Sequence, residues 1–232
     1  MKKVFKSACL SLVFASSMFF SQSIGEMHNK VLETYYAEYG YDALKKNDDV
    51  SLLTERIFNI YKESYPRQTG NTTVDQVKIP IVDFFNGNQL AGFSYLPKVH
   101  TTMDSFVKSG KISENYSNFI LDIVDNNYDL VTCNSKIEEY KKNHKMSAEE
   151  TTMLADFEDV LQYSSRFWEA QDPASNTNVT AKYKCKPSHQ RMIGDAWGAI
   201  MGAALGGFAK FSSVIISSAI QHGQDSVGGG CW

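Results

Sequence analysis

The chain has 232 residues, 43% of them hydrophobic and 12% aromatic, with a formal net charge of −3. That composition excludes a disordered or low-complexity protein, and the length allows one substantial core or a core with an appendage. Charge is uneven: residues 24–178 carry 15 Lys/Arg against 24 Asp/Glu, and residues 179–232 carry five against two. An acidic body is a poor partner for nucleic acid, whose binding rests on neutralising phosphates, so none is expected.

Lys2, Lys3 and Lys6 lead into apolar and small residues over positions 8–20, and small residues then permit cleavage after Ser23 or after Gly25. That order is the pattern of a secretory signal peptide, assigned to residues 1–23. The apolar run of 13 residues falls short of the ~20 a membrane span needs. Cys9 precedes most of the run, which argues against lipidation there. Losing three lysines takes the charge from −3 to −6. The mature protein is expected in the periplasm, at the cell surface or in the medium. Export lets disulfides persist. Of the remaining Cys133, Cys185 and Cys231, an odd one must stay free or pair between chains. Cys185 and Cys231 flank the C-terminal segment and form the favoured pair. A Cys133–Cys185 bridge is the alternative.

Residues 24–170 read as an acidic helical domain. Met27, Val31, Tyr35 and Tyr39 recur every four residues, flanked by Leu32 and Tyr36. Leu53, Ile57 and Ile60 continue the pattern. Tyr116, Phe119, Ile120, Ile123 and Val124 form another stripe, ended by Asn126 and Asn127. The longest runs through Met153, Leu154, Phe157, Val160, Leu161, Ser164 and Trp168, behind a capping-box start at Ser147 and Glu150. Ser135 and Glu138 suggest a similar start for a shorter helix near Tyr140. One apolar face per helix makes the fold class all-α, a helical bundle. Between these stripes, Val77, Ile79, Ile81 and Val82 alternate partly like a strand, and Pro80 would interrupt a helix. Gly87, Gly92 and Pro97 then punctuate what reads as a long connection with room for a small hairpin.

No constellation for catalysis, cofactor or metal emerges, and none of these is expected. HExxH, GxSxG, CxxC and a phosphate-cradling glycine loop are all missing. Cys133 with His100 or His144 as base is far less natural than a packed or bridged cysteine. Cys185 and His189 are two ligands at most, with Pro187 between them. Asp156, Glu158 and Asp159 read as the solvated face opposite Leu154, Phe157 and Leu161.

Residues 171–192 read as a polar linker. After it, residues 193–232 hold nine of the 15 glycines. Gly194, Gly198, Gly202 and Gly206 repeat every four residues, with Ala199, Ala203 and Gly207 beside them. On a helix these small residues share one side, and Trp197, Ile200, Met201, Leu205 and Phe208 the other. Glycine costs a solvated helix ~1 kcal/mol each against alanine, so the ladder predicts a surface for close packing by another helix. Residues 196–220 are long enough to span a membrane. Their insertion balance comes out near zero, because Lys210 offsets the apolar side chains. Two readings stand: a helix or helical hairpin buried against protein, or one that enters membrane only when its small face is paired.

Two stretches carry a resemblance: Ile24-Gly25-Glu26-Met27-His28-Asn29-Lys30, and Ile193-Gly194-Asp195-Ala196-Trp197-Gly198-Ala199-Ile200. They resemble uncharacterised exported bacterial proteins with a helical body and a Gly/Ala-rich C-terminal segment. The tail is also similar to the glycine-zipper segments of small membrane-active bacteriocins, although the acidic body departs from those short cationic peptides. The resemblance implies an architecture rather than an activity. The expectation is an exported, non-enzymatic protein. Its C-terminal helix packs on another helix, or docks on membrane or an envelope protein. The alternative is a soluble exported binding protein whose C-terminal helix belongs to its own core.

Overall fold

The computed structural model describes residues 22–40, 49–85, 87, 95–171 and 187–205. Among them the chain is all-α, as its periodicity requires, with nine helices: α1 (Ile24–Tyr39), α2 (Val50–Ser64), α3 (Pro66–Thr69), α4 (Val74–Phe84), α5 (Tyr95–Lys108), α6 (Glu114–Asn126), α7 (Leu130–Asn143), α8 (Ala148–Gln171) and α9 (Pro187–Leu205). Residues 1–21 of the expected signal peptide, Cys9, Cys185, Cys231, Gly206 and Gly207 lie outside the described residues.

Each boundary has a local cause. Ser23, Asp49, Ser113 and Asp129 cap α1, α2, α6 and α7, their side chains accepting from a backbone N–H in the first turn. Asn127 ends α6 in the left-handed conformation at φ 53°, which Asn tolerates better than most residues. The Ser147–Glu150 box is formed in both directions, at 2.7 and 3.1 Å. Glu150 reaches further than a box demands. Its other oxygen accepts from the backbone N–H and hydroxyl of Ser113, tying the start of α6 to the start of α8. Burial raises the Glu150 pKa, but those hydrogen bonds outweigh it and hold the carboxyl below its ordinary value.

Two readings of the middle segment are corrected. Residues 74–84 form a helix, not a strand, because Thr73 and Gln76 make a reciprocal capping box and Val77 and Ile81 bury one face at i, i+4. Pro80 lies inside α4, where it removes one backbone donor without ending the helix. Pro97 sits in the first turn of α5, where its missing N–H would have had no intrahelical partner. A third correction concerns α7, which starts at Leu130 behind the Asp129 cap; Ser135 and Glu138 fall within it.

The helices share one core. It runs through Leu32 and Tyr35 of α1, Leu53 and Ile57 of α2, Ile81 of α4, Met103 of α5 and Ile120 of α6. Phe157, Leu161 and Trp168 of α8 and Ile193 and Trp197 of α9 complete it. α8 is the central element, packed against α9, α1 and α7, and α1 packs in turn on α2, which carries α4. α9 begins at Pro187, inside the stretch read as linker, with proline in the first helical position where it fits best. From Gln190 to Gly202 every residue of α9 is buried. It is a core element of the bundle.

Candidate functional site

Two polar arrangements stand out against this apolar packing, one sealed and one open. The sealed one centres on Asp195, fully buried on α9. A buried carboxylate is tolerated only with donors around it. Its Oδ2 accepts from Ser164 Oγ at 2.5 Å and from Trp168 Nε1 at 2.8 Å. Ser164 and Trp168 stand one turn apart on α8, so a single helical face presents both donors. The His28 Nε2 of α1 lies 3.5 Å from the same oxygen, and both side chains are 0% exposed.

The tautomer of His28 follows from its neighbours. Asn29 Nδ2 donates to the Tyr163 carbonyl at 2.8 Å, which turns Asn29 Oδ1 toward His28 Nδ1 at 3.0 Å. That oxygen only accepts, so Nδ1 carries a proton. Nε2 faces the Asp195 carboxylate across the same buried contact. Arg191, one turn before Asp195, lays its guanidinium 4.8 Å from the Trp168 ring centre. Tyr95 of α5 donates to the Gly194 carbonyl at 3.2 Å. Three stretches far apart in sequence are thereby clasped at one point.

Serine, histidine and aspartate invite comparison with a nucleophilic triad. The order is wrong for one: Asp195 stands in the middle and takes both Ser164 and His28 on a single oxygen. In a triad the imidazole bridges serine and carboxylate. Nor does solvent reach any of the three. The cluster is a clasp.

The N-terminal end of α1 meets α8 more closely still. The Gly25 N–H donates to Asp159 Oδ2 at 2.7 Å. A methyl group at Gly25 would lie 2.6 Å from the Asp159 carbonyl oxygen and 2.8 Å from Tyr163 Cδ2. Only glycine fits. Asp159 is therefore a contact residue, and Glu158 pairs with Lys141 of α7 at 2.7 Å. Neither belongs to a purely solvated face.

Beside this contact lies the open arrangement, a groove of about 840 Å³ between α1, the α2–α3 corner and Tyr163. Glu26, Asn29, Lys30 and Glu33 line it from α1; Tyr65 and Arg67 line it from the corner. Pro66 at the start of α3 makes the corner. Burial pushes the Tyr65 phenol up, and the nearby Glu26 and Glu33 charges push it further. Lys30 and Arg67 are exposed at its rim.

Most of the residues singled out earlier fall elsewhere. Gly194, Gly198, Ala199 and Gly202 are buried in α9, and Ala203 continues its backbone. Cys133 is a buried free thiol, pushed up to about 12 by burial and by the Asp129 charge. Its sulfur donates to the Tyr128 carbonyl at 3.7 Å. His100 pairs with Asp125 at 2.8 Å, and His144 stacks on Tyr140. No His/Cys/Asp/Glu group among the described residues is arranged to hold a metal. No described helix is long and apolar enough to cross a membrane.

No family model, curated protein or solved structure matches this chain.

Sequence reasoning missed the clasp. Its signals were there: Ser164 is a polar residue inside the apolar stripe of α8, and Asp195 is the lone acid between Asp172 and Asp225. A lone acid in a helix otherwise fit for burial demands donors from its neighbours.

Proposed function

We propose that this chain is an exported, non-enzymatic binding protein whose C-terminal helix belongs to its own core. Its ligand lies in the groove beside α1. What supports the place of the C-terminal helix in the core is the burial of α9 from Gln190 to Gly202, with Asp195 clasped by α1 and α8. Between Gln190 and Gly202 that helix leaves no exposed face for a membrane or an envelope partner. The membrane-docking reading needs residues 196–220, and the first part of that stretch is already packed inside the bundle.

The groove offers carboxylates from Glu26 and Glu33 and cations from Lys30 and Arg67, with Tyr65 and Tyr163 as walls. Such a surface suits a short zwitterionic peptide, whose ammonium and carboxylate ends each find an opposite charge. Two measurements test the reading. Gly202→Ile should lower thermal stability in plain buffer, with no added effect from lipid vesicles. A thermal-shift panel of dipeptides and tripeptides should stabilise the mature protein, and Arg67→Glu should abolish that response. A mature protein found wholly in the membrane fraction would reject the proposal.

A further inference from the structure

We infer that the mature chain begins at Ile24, and that the new α-ammonium group pairs with the Asp159 carboxylate of α8. The inference rests on the export reading above and adds a structural ground for the cut after Ser23 over the one after Gly25.

The argument compares what each cut removes. Both cuts take away Ser23, whose hydroxyl accepts from Glu26 N–H at 3.2 Å and whose carbonyl accepts from Met27 N–H at 3.0 Å. A cut after Gly25 removes much more. It takes the N–H that donates to Asp159 Oδ2 at 2.7 Å, and the one residue that lets α1 touch the α8 backbone. It also leaves a charged terminus only two residues before His28, whose side chain is fully buried against Asp195. A cut after Ser23 keeps Gly25 and its bond.

That cut also supplies something the fold lacks. Asp159 accepts from Gly25 N–H and faces no cation among the described residues. A terminal ammonium on a helix start opposes the helix dipole, and a carboxylate beside it offsets that repulsion. The Ile24 nitrogen is the backbone nitrogen next before the one Asp159 already holds, so the charge arises beside its partner. The same cut removes Gln22, whose amide donates to Glu26 Oε1 at 3.2 Å. Glu26 then faces the groove with that oxygen free. Processing thus opens the ligand site while it exchanges the Ser23 cap for a charged terminus beside Asp159.

The full chain, expressed in a secretion-competent bacterial host, is to be recovered from the exported fraction and its intact mass and N-terminal sequence read. A start at Ile24 is the expected result. A start at Glu26, or at Gln22, overturns the inference and leaves the export reading standing. A chain that keeps Met1 and stays inside the cell overturns both. The pairing has its own readout in the titration of the Ile24 amine, followed by NMR after isotopic labelling. An ordinary α-amino group titrates at about 7.7–8.0. With Asp159 in place the midpoint should lie above that range, and in Asp159→Asn it should fall back into it. A midpoint unchanged by Asp159→Asn overturns the pairing.

Discussion

The carboxylate of Asp195 and the imidazole of His28 face each other at 3.5 Å with neither exposed to solvent, although they stand near opposite ends of the described chain. Burying a carboxylate is costly, and only close partners with further hydrogen bonds offset it. Ser164 and Trp168 supply those bonds. Removing His28 leaves the buried carboxylate to its two hydrogen bonds alone, and removing Asp195 takes from His28, Ser164 and Trp168 the oxygen that all three face. Asp195→Ala is therefore expected to cost about 3–5 kcal/mol, and His28→Ala a comparable amount. The double variant should cost less than the sum, since one lost pair is counted twice in the singles. Urea unfolding of the four proteins measures this. Additive losses would show that the two residues do not act as a pair.

How much of this was legible in the sequence depended on how local the cause was. The α1 and α8 stripes and the Ser147–Glu150 box are patterns within one helix, and they read correctly. Pro80 and the partial alternation around it argue for a strand, whereas the Thr73–Gln76 box starts a helix. That box satisfies the helix start whatever happens seven residues later. The glycine spacing predicts close packing by another helix, and Gly194, Gly198 and Gly202 are buried in α9. The clasp was invisible for a different reason. His28, Ser164 and Asp195 are unremarkable one by one, and only the packing of α1 and α9 on α8 brings them to one oxygen. The groove is likewise a product of how α1 meets the α2–α3 corner, which no periodicity records.

Gly25 offers a test in which two effects oppose each other. On helix propensity alone, replacing glycine with alanine in α1 should stabilise by up to ~1 kcal/mol. The added methyl, however, would meet a backbone carbonyl oxygen at 2.6 Å, and backbone yields less easily than a flexible side chain. Overpacking of that kind typically costs about 1–3 kcal/mol. The contact should win, so Gly25→Ala is expected to lower the unfolding midpoint in urea. A rise in the midpoint would mean that α1 and α8 stand further apart than the contact requires.

Cys133 should behave as an inert thiol. The nucleophile is the thiolate, and burial pushes the Cys133 pKa up to about 12. At pH 8 the thiolate population is then on the order of one in ten thousand. Alkylation of the native, non-reduced protein should leave Cys133 unlabelled, and alkylation after unfolding without reductant should label it. The same digest reads the cysteine connectivity, for which a Cys185–Cys231 bridge is expected. A Cys133–Cys185 peptide would reject both expectations together.

The last prediction concerns Glu150, which joins the starts of α6 and α8. Hydrogen bonds from Ser113 and Ser147 hold its carboxyl below the ordinary value of 4.5 in spite of the burial that raises it. A depressed folded pKa means that the unfolded chain takes up the proton first as pH falls. The contribution of Glu150 to stability is therefore complete above pH 4.5. It declines below that value, until pH has passed through the lower folded pKa. Glu150→Gln keeps an acceptor oxygen but puts an NH₂ group where the carboxylate accepts on both sides, toward Ser113 and toward Ser147. The variant should be less stable at neutral pH, and its stability should vary less with pH between neutrality and the acid limb. Urea midpoints of both proteins at several pH values from 7 down to 3 would measure the difference. The gap between them should narrow as the pH falls below 4.5. A gap that stays constant across that range would show that the ionised form of Glu150 is not what ties the two helix starts together.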